Sequence, residues 1–165
     1  MNISKTMQDA FNKQIIAELW SANIYLSMAF WFRKEGWKGF AGWMFKQAEE
    51  EREHAIDMAN YVFSRGGEVK IAAIEAVDTE WESPKAAFEA TLKHEMDVTE
   101  MINKLADVAD EEKDRASQNF IAKYIDEQVE EEKSVNDILV LFNQQSTHAM
   151  HADSHIDRKL AAMQG

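Results

Sequence analysis

Apolar residues recur along this chain in alternating steps of three and four, the spacing of helices that each bury one face. The pattern predicts a first helix from Ser4, its N-cap, to about Lys34. Its inner seam reads Phe11, Ile15, Glu18, Ala22, Tyr25, Ala29 and Phe32. Gly36 and Gly39 interrupt it, and a second helix is expected from about Gly39 to Arg65, stopped at Gly66-Gly67. Its seam reads Phe40, Met44, Gln47, Glu51, His54, Met58 and Tyr61. Residues 66 to 82 lose the helical period and contain β-branched residues. Ser83-Pro84 is a helix start, with Ser at the N-cap and Pro in the first turn. The third helix should reach about Asp110, with Phe88, Leu92, Glu95, Thr99, Ile102, Ala106 and Ala109 inward. The acidic cluster Asp110 to Asp114 marks a turn, and a fourth helix follows from about Arg115 to Gln144. Its seam reads Ile121, Tyr124, Gln128, Glu131, Val135, Ile138 and Phe142. Ser146-Thr147 caps a short fifth helix, about His148 to Leu160.

A long connection without secondary structure needs a reason inside a folded unit. A crossover along the length of a bundle supplies one. Helices of about 27 residues are roughly 40 Å long, and about 17 extended residues cover that distance. The expected fold is therefore all-α: an up-down-down-up four-helix bundle over residues 4–144, made of two antiparallel hairpins joined by one crossover. The short fifth helix completes it. No internal repeat and no second domain is visible, so residues 1–165 are expected to form one domain.

Each seam is broken by polar residues near its midpoint: Glu18, Glu51 with His54, Glu95, and Gln128 with Glu131. Midpoints of antiparallel helices meet at one level. Buried carboxylates left unpaired cost on the order of several kcal/mol each, and no Lys or Arg occupies the seams at that level. A lone E-x-x-H is usually a solvated face, and a lone buried Glu is usually paired with a cation. Four interrupted seams at one height point instead to metal ions. Carboxylate oxygen with some imidazole and no sulfur suits Fe(II), Mn(II) or Zn(II). Glu51 can bridge two ions, Glu18 and Glu95 can each serve one, and His54, one turn from Glu51, can complete one shell.

Composition narrows the setting. There is no Cys, which excludes disulfides, thiolate metal sites and thiol nucleophiles. Hydrophobic content of 45% supports a packed core. The net charge of −12, with no basic arm, argues against nucleic-acid binding and is compatible with either solubility or cation attraction. No run reaches about 18 uninterrupted apolar residues, so no membrane association is expected. The first residues lack the apolar region of a secretory signal, so a cytoplasmic protein is expected.

The stretches Glu18-Leu19 through Tyr25, AEEEREHA around Glu51 and His54, KHE at Glu95 and DEQVEEEK around Gln128 together resemble the bacterial non-haem ferritins over almost the whole chain. No piece is specific alone; the combination with its spacing is. The resemblance implies a ferritin-like bundle with a dinuclear iron ferroxidase centre. Glu18, Glu51 and His54 would hold one iron, and Glu51 with Glu95 the second, with Gln128 close by. Tyr25 resembles the tyrosine that hydrogen-bonds to such centres. A third iron site in these proteins uses further glutamates, which match Glu50, Glu127, Glu130 and Glu131, the last shared with the second iron. Glu50, Glu127 and Glu130 have the alternative reading of a solvated acidic face. The resemblance further implies oxidation of Fe(II) by O2 or H2O2, a hollow homo-oligomeric shell of twenty-four subunits, and a ferric oxide-hydroxide mineral stored inside.

Departures from neighbouring families sharpen this. Bacterioferritins carry Glu and His where Gln128 and Glu131 stand, and a haem-binding Met where this chain has Arg52, so no haem is expected. Rubrerythrin-like proteins repeat E-x-x-H on the last bundle helix and usually add a Cys-rich domain. DNA-coating mini-ferritins place their ligands between subunits and often have a basic tail. Two rivals differ in class: a di-iron peroxidase or oxidase that stores nothing, and a structural shell subunit without the centre. His148, His151 and His155, with Asp153, form either a metal or pore-lining site or the polar face of a short helix. Trp20, Trp31, Trp37, Trp43 and Trp81 are expected to serve packing and subunit contacts, with Trp31 and Trp37 partly exposed.

Overall fold

Ser4 opens the first helix as its side chain predicts, accepting from the Met7 amide at 3.1 Å. The computed structural model describes residues 2–144 and 149–164, with side chains in the last helix from Asp153 onward. Among the described residues there are five helices and no strand: α1 (Lys5–Lys34), α2 (Lys38–Ser64), α3 (Pro84–Glu111), α4 (Arg115–Gln144) and α5 (Ala149–Met163). Ser83 caps α3 by accepting from the Ala86 amide at 3.1 Å, and Asp114 accepts from the Ser117 amide at 3.1 Å at the start of α4. These side chains satisfy amides that the first helical turn leaves unpaired. Gly66, at φ +71°, ends α2 in the left-handed region, where a Cβ is strained.

Topology follows from which ends meet. The Arg65 guanidinium forks onto Asp114 at 3.1 and 3.2 Å, joining the end of α2 to the start of α4. With each hairpin antiparallel, this gives the up-down-down-up order. The connection from Arg65 to Ser83 must then run the length of the bundle, and α1 holds it there. Gln8 accepts from the Glu68 amide and Asn12 from the Lys70 amide, both at 2.8 Å. Asn12 also donates to the Glu68 carbonyl at 2.8 Å, and Ser27 donates to the Asp78 carbonyl at 2.6 Å.

α1 contains a window of mean hydropathy 1.2, apolar enough to resemble a membrane span, but half of that window is packed inside the bundle. The core divides in two. One cluster gathers Tyr25, Phe32, Phe40, Phe88, Val135 and Phe142 with Ile156 and Leu160 of α5. The other gathers Phe11, Ile15, Met58, Ile102 and Ile121 towards the opposite end. Between them lies a polar layer.

α5 extends to Met163, three residues beyond the expected end, and His148 lies outside the described residues. It seats on the start of α2, where a Cβ at Gly39 would overlap the Asp157 carbonyl oxygen. Asp157 also accepts from the Phe40 amide at 2.8 Å, which caps α2 because Trp37 at its N-cap makes no side-chain bond. Trp31 corrects the expectation of partial exposure: it is buried against Phe32 and Trp81, since the crossover returns over it. Trp37 is half-buried.

Candidate metal centre

The polar layer holds the residues that interrupted the four seams. Glu18, Glu51 and Glu95 are each no more than 2% exposed, and Gln128 is buried beside them. Glu18, Glu51 and His54 offer three ligand atoms that all lie within 4.8 Å of one another. His54 Nδ1 stands 3.5 Å from Glu51 Oε2 and 3.7 Å from Glu18 Oε2. Neither of those two buried oxygens accepts a hydrogen bond. Unpaired buried carboxylate oxygens are rare and costly, and two converging on an imidazole nitrogen fit a divalent cation.

The other oxygens are held. Gln14, one turn before Glu18, donates to Glu18 Oε1 at 2.8 Å. Glu95 Oε1 accepts from the Tyr25 hydroxyl, and Glu95 Oε2 accepts from Gln128 Nε2 at 3.1 Å. Gln128 also reaches Thr99, whose hydroxyl lies 2.6 Å from Glu132 Oε1. Gln47 donates to Glu131 Oε2 at 3.1 Å. Each of these donors is neutral. They aim the carboxylates without cancelling their charge, which leaves that charge for a cation.

The protonation pattern shows the strain of the arrangement. Burial raises Glu51 well above the usual carboxylate range, and the neighbouring charges of Glu18 and Glu95 add to it. Glu95 is raised by burial against the opposing bonds from Tyr25 and Gln128. Burial would raise Glu18 too, but the nearby His54 and Glu51 and the bond from Gln14 bring it below its ordinary value. Burial would lower His54, yet Glu18 and Glu51 push it up to about 11. A protonated imidazole is thus the cation these acids favour when no metal competes. Burial, then Glu95 and Glu50, push Glu131 up to about 7.

An open pocket of about 440 Å³ lies against this layer between α2 and α4. Glu50, Glu127 and Glu131 line it together with His54, Glu53, Asp57, Lys123 and Tyr124. Glu130 is exposed and does not line it, so three of the four glutamates matched to a third iron site converge and one does not. His155 is exposed, Asp153 is half-buried, and the side chains of His148 and His151 lie outside the described residues.

Gln14 was missed from sequence, although it sits four residues before Glu18 on the same face. His94 was missed as well. It is half-buried, 2.9 Å from the Ser21 hydroxyl, and packs against Trp20 and Tyr25. Being adjacent to Glu95, it lies off the seam and gives no periodic signal.

Known proteins share this fold. The ferritin-like domain family matches residues 8–144. The chain is 47% identical over 137 residues to a bacterial non-heme ferritin from Bacteroides fragilis, covering 83% of this chain and 86% of that one. It is 35% identical over 130 residues to one from Staphylococcus aureus, covering 79% and 78%. The open pore ferritin from the archaeon Archaeoglobus fulgidus superposes with a TM-score of 0.92 at 45% identity, over 96% of this chain and 98% of that one.

Proposed function

The chain belongs to the ferritin-like family and is an iron-storage protein of the non-haem ferritin kind; we propose that each subunit oxidises Fe(II) at a dinuclear centre in its polar layer. Iron is the substrate. Glu18, Glu51 and His54 hold one Fe(II), Glu51 bridges, and Glu95 holds the second with Gln128 beside it. Glu131 lies on the pocket side of this pair, and Tyr25 fixes Glu95. Each Fe(II) gives up one electron, so the pair, with two protons from solvent, reduces one O2 to H2O2 or one H2O2 to two waters.

The observation that carries this reading is the pair of buried carboxylate oxygens, Glu18 Oε2 and Glu51 Oε2, that lack hydrogen bonds and face His54 Nδ1. The donor set fits Fe(II), with oxygen and imidazole ligands and no sulfur. The acidic pocket fits a path for cations; an oxidase of organic substrates would need an apolar pocket beside the metals. Glu50, Glu127 and Glu131, with Glu130 nearby in sequence, are the proposed third iron site. We further propose one domain over residues 1–165, a homo-oligomeric shell of twenty-four copies that encloses the ferric mineral, and a cytoplasmic location without nucleic-acid or membrane partners.

Oxygen uptake on adding Fe(II) tests the centre. The protein consumes O2 and forms a ferric product, while Glu51→Ala and His54→Ala lose at least ten-fold in initial rate. Equal rates in all three would reject the assignment. Electron microscopy after Fe(II) loading in air tests storage, which requires round particles with dense centres.

A further inference from the structure

His54 has two faces. Nδ1 points at Glu18 and Glu51, and Nε2 stands 3.5 Å from Glu127 Oε1. We propose that Glu127 is a positioning residue for His54, forming a carboxylate–histidine–metal relay with the first cation of the centre. This rests on the dinuclear reading above and adds a role for Glu127 apart from any third iron site.

Ligation at Nδ1 gives such a partner a proton to accept. A cation held by Glu18 and Glu51 meets the Nδ1 lone pair, so the imidazole proton must sit on Nε2. That N–H needs an acceptor, and ligating histidines regularly donate their other nitrogen to a carboxylate that fixes tautomer and ring orientation. Glu127 is on α4, across the groove from α2, so the contact also ties the ligand to a second helix. The ring plane is set as well. Tyr124 packs edge-on to His54, with centroids 5.2 Å apart and planes at 81°. The Tyr124 hydroxyl is anchored on Asp57, which also pairs with Lys123. With Tyr124 against its face and Glu127 at Nε2, the imidazole is held with Nδ1 inward.

Co(II) alone, titrated into the assembled protein and followed by its visible ligand-field absorption, tests this without turnover. In the wild-type protein the first equivalent gives an imidazole-containing spectrum that His54→Ala removes. Glu127→Ala is expected to weaken that first binding step by about 10- to 100-fold, the cost of losing an outer-shell partner. Glu127→Gln, whose amide oxygen still accepts from Nε2–H, recovers most of the loss. Glu53→Ala, which removes another acid of the same pocket that the centre does not use, leaves the first step unchanged. The relay is overturned if Glu127→Ala binds the first Co(II) like wild type, or if Glu53→Ala is weakened equally. A spectrum indifferent to His54→Ala would overturn the centre itself along with the relay.

Discussion

Gln14, Tyr25 and Gln128 donate to Glu18 and Glu95 without bringing positive charge, and the pH response of the protein should record it. Glu131 has its folded pKa raised from 4.5 to about 7 by burial and by Glu95 and Glu50. A carboxyl whose folded pKa lies above its unfolded value contributes stability below the unfolded pKa and loses it as pH rises through the folded one. Metal-free protein should therefore lose stability between about pH 4.5 and 7, a loss that Glu51 and Glu95, shifted the same way, deepen. Thermal unfolding across that range should show a falling midpoint, and Glu131→Gln should flatten it. A divalent cation must displace these protons, so its affinity should climb over the same interval. Saturating Co(II) should then make the midpoint rise with pH; a midpoint that still falls would mean the acids do not bind the ion. Glu18, Glu51, Glu95 and Gln128 were legible in the sequence because each interrupts an apolar period. His94 was not, because it lies off the seam beside Glu95, and Gln14 shares the inner face with Glu18 but an uncharged amide there gives no metal signal.

At the scale of elements, local chemistry announced most boundaries. Ser4, Ser83 and Gly66 act where their side chains and backbone freedom say they should, and the crossover followed from helix length. The seat of α5 was hidden because its partners are far apart in sequence. Asp157 supplies a cap to α2 from 117 residues away, and Gly39 matters for the carbonyl pressed against it. Asp157→Ala should cost about 0.5–2 kcal/mol, the usual worth of a helix cap, measured by denaturant unfolding. Gly39→Ala should do more, because the backbone of α5 cannot yield as a flexible side chain would. Limited proteolysis should then cut at α5 first while α1 to α4 stay intact. Equal resistance of variant and wild type would show that α5 is held by its apolar contacts alone. Trp31 has the same explanation as α5: its cover comes from Trp81, on a segment without period.

For the whole molecule, the exposed apolar residues bear on assembly. Phe30 is 55% exposed and meets Phe45 edge-on across α1 and α2, with Leu26 one turn away at 40%. Such a patch on a charged chain marks a contact with another protein surface, and the proposed shell supplies the partner as further copies. Phe30→Glu should shift the protein from a large particle to small species in size-exclusion chromatography, with helical content unchanged. An unaltered elution volume would place the subunit contact elsewhere.

The two apolar clusters, parted by carboxylates and amides, leave the bundle without a continuous greasy spine. Its stiffest portions should be the ends and its softest joint the waist. Deuterium should therefore enter backbone amides near Gln47, Glu95 and Gln128 sooner than those near Phe40 or Ile121, and slower exchange at the waist would mean that its network of amides and carboxylates stiffens it instead.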